Sequence, residues 1–268
     1  MSTERRVAVV TGAARGIGAA TVLALAGQGW SVLAVDRAAD DLALPYPMAT
    51  EADLATVLQR AQQACGADRV AGYRADVRDH AALAAAVAEA EERWGGLDAA
   101  IAAAGVIAGG VPLWEVPPEQ EQAVLDIDLG GVINLARAAI PALLRRSEPR
   151  SGRFLAVASA AATRGLPMLA AYCAAKAGVA GLIRALGAEL GGTGVTANAV
   201  SPGSTGTPML DESARLYGLA DAPAFAAQQP VRRLLDPAEV AAVLAFLAGP
   251  GSSAMTGAVV PVDGGLAL

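Results

Sequence analysis

The chain has 268 residues, which allows one large α/β domain or two small ones. A hydrophobic content of 54 % supports a sizeable core, and a net charge of −6 argues against nucleic acid or an anionic membrane as the main partner. Two cysteines, Cys65 and Cys173, give no disulfide framework and fit a reducing cytosol. No apolar signal core precedes the first predicted strand and no segment reads as a membrane span, so we expect a soluble, cytoplasmic protein.

Short apolar runs alternate with amphipathic runs in chain order. The apolar runs predict strands in RVAVVTG, SVLAVD, RVAGYRADV, LDAAIAAAG, GRFLAVAS, GVTANAVSPG and GAVVPVDGG. The amphipathic runs between them predict helices, one opened by a capping box of Thr50 and Asp53 and the next capped by Asp79. Strands that are apolar throughout indicate burial on both faces, as in a parallel sheet covered by helices. Residues 1–268 are therefore predicted to form one α/β domain, a doubly wound parallel sheet of the Rossmann type.

A glycine-rich turn, TGAARGIG over residues 11–18, follows the first strand and opens a helix. Gly12, Gly16 and Gly18 would let the backbone turn tightly and approach a pyrophosphate, which the helix N-terminus would bind through its N–H groups. Asp36 ends the next strand about 20 residues on, where a carboxylate takes the adenosine ribose hydroxyls of a dinucleotide.

The charges near this turn bear on the choice of dinucleotide. Asp36 would repel a 2′-phosphate and favours NAD, whereas Arg15 and Arg37 would pair with that phosphate; we give the carboxylate more weight. Capping of the next helix by Asp36 is a poor alternative because that helix begins far away. Asp76 and Val77 end the third strand, and their spacing leaves open whether they border the adenine or only form a turn.

Tyr172 and Lys176 lie four residues apart, on one face of a predicted helix. A tyrosine with an ordinary pKa is a poor acid–base group at neutral pH, and a neighbouring ammonium would lower that pKa by favouring the phenolate. Ser159 ends the preceding strand and would donate a hydrogen bond to a substrate oxygen. A Tyr-x-x-x-Lys pair alone is more often a solvated helix face, so its weight comes from the motifs around it.

TGAARGIG, Ser159 with Tyr172 and Lys176, and SPGSTGT over residues 201–207 together resemble the short-chain dehydrogenase/reductase family, in the family's order and over essentially the whole chain. The resemblance implies an oxidoreductase that moves a hydride between a secondary alcohol or ketone and NAD. Tyr172 would be the general acid/base, Lys176 would bind the nicotinamide ribose and Ser159 would orient the substrate oxygen. The implied cofactor residues are Gly12, Arg15, Gly16, Ile17, Gly18, Asp36, Arg37, Asp76, Val77, Ala104, Gly105, Tyr172, Lys176, Pro202, Gly203, Thr205 and Thr207.

Two departures from the family pattern concern the site. Where the family has Asn-Asn-Ala-Gly after the fourth strand, residues 102–105 read AAAG, so we expect the side-chain support of that loop to be lost. Asp128 stands where the family places an asparagine whose main-chain carbonyl holds a water of the proton relay. We assign Asp128 to the catalytic set through its backbone, with a charge that would alter the relay.

The connection over residues 37–50 is longer than the few residues usual between a strand and a helix. Its sequence, with Leu42, Leu44, Tyr46 and Met48 as predicted covers of the ribose and adenine, resembles the mycofactocin-coupled branch of the family. That resemblance implies a lid that retains NAD, which an external carrier, mycofactocin or a partner dependent on it, reoxidises in place. A surface loop or a segment used in oligomer contacts is the alternative.

Other residues carry weaker signals. His80 is expected to be a surface residue of a first helical turn, and one histidine with two distant cysteines predicts no metal site. Two roles remain open for a further group of residues: they form an apolar wall for a hydrophobic alcohol or ketone, or they only pack in the core. These residues are Met168, Met209, Leu210, Leu216 and Tyr217. The resemblance implies a homotetramer. Two other functions remain: an ordinary dehydrogenase with exchanging NAD, and a cofactor-sensing protein with a vestigial site.

Overall fold

Seven parallel strands form one sheet in the computed structural model, which describes residues 5–268. Across the sheet the order is β3-β2-β1-β4-β5-β6-β7, and every neighbouring pair is parallel. This arrangement confirms the predicted doubly wound Rossmann-type fold. The strands are β1 (Val7–Thr11), β2 (Ser31–Asp36), β3 (Val70–Arg74), β4 (Ala99–Ala102), β5 (Arg153–Val157), β6 (Thr196–Pro202) and β7 (Val259–Val262).

Helices cover both faces of the sheet. They are α1 (Gly16–Gly27), α2 (Glu51–Cys65), α3 (His80–Trp94), α4 (Pro118–Leu125), α5 (Gly131–Arg145), α6 (Ala170–Glu189), α7 (Pro208–Leu216) and α8 (Pro237–Ala248). Thr50 and Asp53 form the predicted capping box of α2, and Asp79 caps α3 as expected. A π-helical turn, Asp126–Gly130, joins α4 to α5 within what the sequence predicts as one long helix. The sequence did not predict α7.

The core has two halves because successive side chains of a strand point to opposite faces. Val7 and Val9 pack with apolar residues of α3, α5 and α6, whereas Ala8 and Val10 pack with those of α1, α2 and α8. The inner strands β1, β2, β4, β5 and β6 are buried almost throughout, as predicted. The edge strand β3 alternates between more and less exposed residues instead, because successive side chains point to opposite faces of the sheet.

One helical stretch, Pro118–Arg145, is long and apolar enough by length and composition to cross a membrane, contrary to the expectation from the sequence. Half of its most apolar window is buried inside the protein. Leu135 and Ala139 of this stretch are fully buried in the core beside the sheet. The apolar character of this helix is therefore explained by packing within the fold.

The strand order reverses at β1. The chain passes from β1 to β2 and β3 on one side and then crosses to β4 on the other side of β1. In open parallel sheets, ligands bind outside the carboxyl ends of the strands at such a switch point. The glycine-rich turn after β1 and the AAAG turn after β4 meet there, since a Cβ on Gly12 would lie 2.6 Å from the Cα atom of Ala104.

Two glycines of α1 give a matched test of this close packing. A Cβ on Gly18 would lie 2.0 Å from the carbonyl oxygen of Gly12, whereas a Cβ on the exposed Gly27 meets no atom within 4 Å. We expect Gly18→Ala to lower the free energy of unfolding by about 1–3 kcal/mol through overpacking. Gly27→Ala should raise the free energy of unfolding by up to about 1 kcal/mol because alanine favours the helix. Urea denaturation measures both, and equal stability of the two variants would contradict the account.

Candidate active site

A cleft of about 610 Å³ lies at the carboxyl edge of the sheet, between the loops that follow the strands. Every residue predicted to hold the cofactor lines this cleft, and so does Ser159. Asp128 is the exception among the predicted site residues, because its side chain is fully buried behind the cleft wall. The fold therefore brings the predicted cofactor-binding residues, whose positions extend from 12 to 207, to one cavity.

The turn from β1 to α1 has the features that a phosphate group requires. Gly12 and Gly16 have positive φ values of 66° and 57°, and both line the cleft. The N-terminus of α1 has no side-chain cap and no acidic residue in its first turn, whereas Thr50, Asp79 and Asp236 cap α2, α3 and α8. An uncapped helix N-terminus with its positive dipole end facing a cleft suits a pyrophosphate, so these residues fit a dinucleotide.

Asp36 lies at the end of β2 and lines the cleft. Its carboxylate accepts hydrogen bonds from the backbone N–H of Ala14 (3.0 Å) and of Ala38 (2.9 Å). These two bonds fix the carboxylate next to the glycine-rich turn, and a carboxylate has further lone pairs for ribose hydroxyls. Thr50 rather than Asp36 caps α2, as the sequence predicts.

The two arginines that compete for a 2′-phosphate in the sequence are both engaged within the protein. Arg15 donates from Nη1 to the carbonyl oxygen of Pro47 at 3.0 Å. Arg37 pairs with Asp41 through Nη1 at 2.5 Å, and its Nε lies 3.5 Å from Oδ2 of Asp76. The expected preference for NAD thus has a second physical basis besides Asp36.

Asp76 and Val77 both line the cleft, although the Asp76 side chain also holds its own turn. Its carboxylate pairs with Arg78 at 2.6 Å. Asn134 of α5 donates to the carbonyl oxygens of Val77 (3.0 Å) and Arg78 (3.2 Å) and so fixes this turn against the helix. The turn therefore both borders the cleft and holds itself together, so the two interpretations of Asp76 and Val77 are compatible. The sequence did not predict the role of Asn134, because its partners lie far away in the chain.

Tyr172, Lys176 and Ser159 meet on the other side of the cleft. Tyr172 is 8 % exposed and Lys176 is 4 % exposed, and both project from α6. The Lys176 ammonium lies 5.5 Å from the centroid of the Tyr172 ring and donates to the carbonyl oxygen of Val157 at 3.1 Å. Ser159 accepts from the N–H of Ala161 at 3.1 Å and interacts with the Tyr172 phenol.

The surroundings of the Tyr172 phenol act on its pKa in opposite directions. Burial raises the pKa of Tyr172, and the carboxylate of Asp128 raises it further; Lys176 and Ser159 lower it but do not prevail. The predicted effect of the ammonium is confirmed, since Lys176 lowers the pKa of Tyr172, but it does not outweigh burial in the protein alone. The sequence suggested the ammonium but not the degree of burial or the opposing carboxylate.

Asp128 forms a buried ion pair with Lys176. Its Oδ2 lies 3.0 Å from Nζ, and Oδ1 accepts from the backbone N–H of Val106 at 2.8 Å. Burial acts to lower the pKa of Lys176, but Asp128 and Tyr172 outweigh it and raise that pKa, so the amine is held as an ammonium. Burial also raises the pKa of Asp128, which the ammonium and the Val106 N–H oppose. The side chain of Asp128 thus contacts Lys176 directly, whereas the role of its backbone carbonyl stays a prediction.

The AAAG loop after β4 is well supported, contrary to the expectation from its missing asparagines. Thr11 accepts from the N–H of Ala103 at 3.3 Å, and Asp128 accepts from Val106 as described. The hydroxyl of Tyr46 accepts from the N–H of Ile107 at 2.9 Å. Three side chains from distant parts of the chain therefore replace the local support.

The connection over residues 37–50 contains no helix or strand and is tied to three neighbouring segments. Arg15 bonds to the Pro47 carbonyl, Tyr46 bonds to Ile107, and Asp41 pairs with Arg78 at 2.8 Å. The segment thus spans from the glycine-rich turn to the loops after β3 and β4. We call residues 37–50 the strap.

The four strap residues predicted to cover the cofactor have different positions. Met48 lines the cleft, as do the strap residues Arg37, Ala39, Asp41 and Ala49. Leu44 is buried in the core, Tyr46 packs against it, and Leu42 is fully exposed to solvent. The prediction was wrong for Leu42, Leu44 and Tyr46, which do not line the cleft, because an irregular loop has no periodicity from which to infer side-chain direction.

The segment Pro202–Thr207 forms the floor where β6 ends. Gln229, fully buried, accepts from the N–H of Ser204 at 2.9 Å and donates to the Ser204 carbonyl oxygen at 3.2 Å. A Cβ on Gly203 would lie 2.3 Å from the Gln229 side chain. Gln229 therefore fixes this segment, and the sequence offered no signal for it because its partner lies 25 residues away.

An apolar wall continues the cleft beyond Ser159 and Tyr172. Of the residues considered for this wall, Met209, Leu210 and Tyr217 line the cleft, whereas Met168 and Leu216 do not. Its other apolar members are Leu166, Leu169, Leu219 and Phe225. The cleft thus has a polar end near Asp36 and an apolar end near Tyr217.

Comparison with known proteins agrees with this geometry. Residues 12–267 match a family model described as enoyl-(acyl carrier protein) reductase. An uncharacterized NAD-dependent oxidoreductase of Mycobacterium tuberculosis is 35 % identical, over 98 % of this chain and 96 % of the relative. A cis-4-hydroxycyclohexanecarboxylate dehydrogenase of Sinomonas cyclohexanicum is 39 % identical, over 97 % and 96 % respectively.

Solved structures give the same result. The crystal structure of carveol dehydrogenase from Mycobacterium avium in complex with NAD superposes with a TM-score of 0.91 at 32 % identity, and 98 % of each chain is covered. Sequence motifs, sheet order, cleft and relatives thus agree along nearly the full length. The chain belongs to the short-chain dehydrogenase/reductase family.

Proposed function

We propose that this protein oxidises a hydrophobic secondary alcohol, or reduces the matching ketone, with an NAD molecule that stays bound between turnovers. The chain is an NAD-dependent oxidoreductase of the short-chain type, as its relatives are. The observation that carries the finer proposal is the strap, which is tied to the glycine-rich turn and to the loops after β3 and β4.

NAD would lie along the cleft with its adenosine end at Asp36 and its nicotinamide end near Tyr172. When bound, NAD would accept the hydride that leaves the alcohol carbon. The uncapped N-terminus of α1 would bind the pyrophosphate, and Asp36 the ribose hydroxyls. Thr205, Thr207 and the Pro202–Gly203 backbone also line the cleft, and they would flank the nicotinamide.

Tyr172 would act as the general base that takes the hydroxyl proton of the alcohol. Ser159 would donate a hydrogen bond to the substrate oxygen and hold it beside the phenol. The Lys176 ammonium stabilises negative charge on the phenolate, and Asp128 limits that effect while it holds the ammonium in place. A positive charge at the nicotinamide end would add to the effect of Lys176 on the phenol.

The apolar end of the cleft favours a hydrophobic substrate. Met209, Leu210 and Tyr217 flank the space beyond Tyr172 and offer van der Waals contact but no formal charge. Relatives named for a hydroxycyclohexanecarboxylate and for carveol support an alcohol of modest size.

A retained cofactor needs an external oxidant to complete each cycle. Two electrons leave the alcohol with the hydride, and an external redox carrier must remove them before the next turnover. The likeness of the strap sequence to the mycofactocin-coupled branch supports mycofactocin, or a partner dependent on it, as that carrier. The family resemblance also supports a homotetramer and a cytoplasmic location.

Retention can be tested on protein purified without added nucleotide. We expect acid denaturation to release near-stoichiometric NAD, and alcohol oxidation to need an artificial electron acceptor rather than added NAD. Absence of bound nicotinamide together with turnover on added NAD alone would establish an ordinary dehydrogenase. Failure of every alcohol tested to reduce the bound NAD would favour a vestigial site.

A pair of tyrosine variants locates the cause of retention. Tyr46→Phe removes the acceptor of the Ile107 N–H, and we expect it to increase the NAD lost on prolonged dialysis several-fold. Tyr73→Phe, on the edge strand β3 and outside the cleft lining, is the matched control. Equal loss from both variants would mean that the strap does not retain the nucleotide.

Asp128→Asn should change the pH dependence of alcohol oxidation. The Asp128 carboxylate raises the pKa of Tyr172, so its neutralisation lowers that pKa. Because oxidation needs the phenolate, the acidic limb of the kcat/KM profile moves to lower pH. Asp126→Asn, on the same π-helical turn, should leave the limb unchanged. A limb that stays in place or moves to higher pH in Asp128→Asn would contradict this electrostatic role.

A further inference from the structure

The strap brings an aspartate to the adenosine end of the cleft that no motif marks. Asp41 is 6 % exposed, lines the cleft and contacts two guanidinium groups. Its Oδ2 lies 2.5 Å from Nη1 of Arg37 and 2.8 Å from Nη2 of Arg78. Its Oδ1 accepts from the N–H of Ala43 at 2.9 Å, which fixes the carboxylate within the strap.

These contacts place Asp41 at the centre of a four-membered charge network. Asp76 pairs with the same two arginines, at 3.5 Å from Arg37 and 2.6 Å from Arg78. Two carboxylates thus share two guanidiniums, and Asp36 lines the same cleft. Burial acts to raise the pKa of Asp41, but the Ala43 N–H and both arginines hold that pKa below its usual value, so the carboxylate stays ionised.

A 2′-phosphate distinguishes NADP from NAD at this end of the cleft. It carries about −1.5 to −2 charges at neutral pH and needs guanidinium or ammonium partners. Arg37 and Arg15 line the cleft and would serve, but Arg37 is occupied by Asp41, and Arg15 by the Pro47 carbonyl. Exclusion of NADP therefore needs more than repulsion by Asp36, because a guanidinium next to Asp36 would offset that repulsion.

We propose that Asp41 is a specificity-determining residue that makes the enzyme select NAD over NADP, by occupying the guanidinium group of Arg37. This inference rests on the proposed dinucleotide site but not on retention of the cofactor. The strap then has two effects, since the residues that tie it to the adenosine end also pair the Arg37 guanidinium that NADP would use.

Asp41→Asn tests the proposal with little change in shape. The asparagine keeps an oxygen for the Ala43 N–H and removes only the charge, so the two guanidiniums share one carboxylate instead of two. Asp40→Asn is the matched control, because Asp40 is exposed and its Oδ1 accepts from the Met48 N–H at 2.8 Å, a bond that asparagine retains. Both variants lose one negative charge from neighbouring positions of the strap.

Each protein is synthesised in a cell-free extract with equal, saturating NAD and NADP, so that capture does not depend on later exchange. The nucleotides released by acid are then quantified, and Kd values for both are measured on any protein that loses its nucleotide on desalting. We expect the NADP-to-NAD preference to rise at least tenfold in Asp41→Asn and to stay unchanged in Asp40→Asn. Adding Arg37→Gln to Asp41→Asn should lower the NADP share again.

The outcomes separate the two levels of the account. Binding of NAD with an unchanged preference in Asp41→Asn, or an equal change in Asp40→Asn, would overturn the role of Asp41 and leave the dinucleotide site intact. Binding of neither nucleotide by the wild type would overturn the dinucleotide site itself, and with it the role of Asp41.

Discussion

The carboxyl edge of the parallel sheet is the constraint on which the rest of the molecule depends. Parallel strands end at the same edge, so the turns after β1, β2, β4, β5 and β6 are neighbours although they are far apart in sequence. The switch in strand order between β1 and β4 opens a crevice there. Gly12 against Ala104, Asp36 against Ala14, and Lys176 against Val157 all follow from this arrangement.

The buried pair of Asp128 and Lys176 gives the site its distinctive electrostatics. A buried ammonium next to a phenol would favour the phenolate, but here a fully buried carboxylate shares that ammonium at 3.0 Å. Breaking such a pair by removing one partner is costly, since the other charge stays buried. The same carboxylate also supports the loop after β4 through Val106. One substitution relative to the family pattern thus links loop support to the acidity of Tyr172.

The sequence predicted the features that depend on local order. Strand ends followed by Gly12, Asp36, Ser159 and Pro202 are visible in the sequence because each motif directly follows an apolar run. Contacts between distant segments were not predictable, as Tyr46 and Ile107 show across 61 positions. The sequence predicted that Lys176 lowers the pKa of Tyr172, but it did not show the opposing burial and Asp128 carboxylate, because these are tertiary properties. The long helix was predicted, but its π-helical turn was not, since no residue between Asp126 and Gly130 breaks a helix as proline does.

The central claim is that the Tyr172 phenol exchanges a proton with a substrate beside bound NAD. Rapid mixing of the NAD-loaded enzyme with an alcohol substrate, followed by the absorbance of reduced nicotinamide, tests it most directly. In the Tyr172→Phe variant we expect the first reduction to slow by about 10²–10⁴-fold while the amount of bound NAD stays the same. Reduction at close to the wild-type rate in that variant would contradict the account.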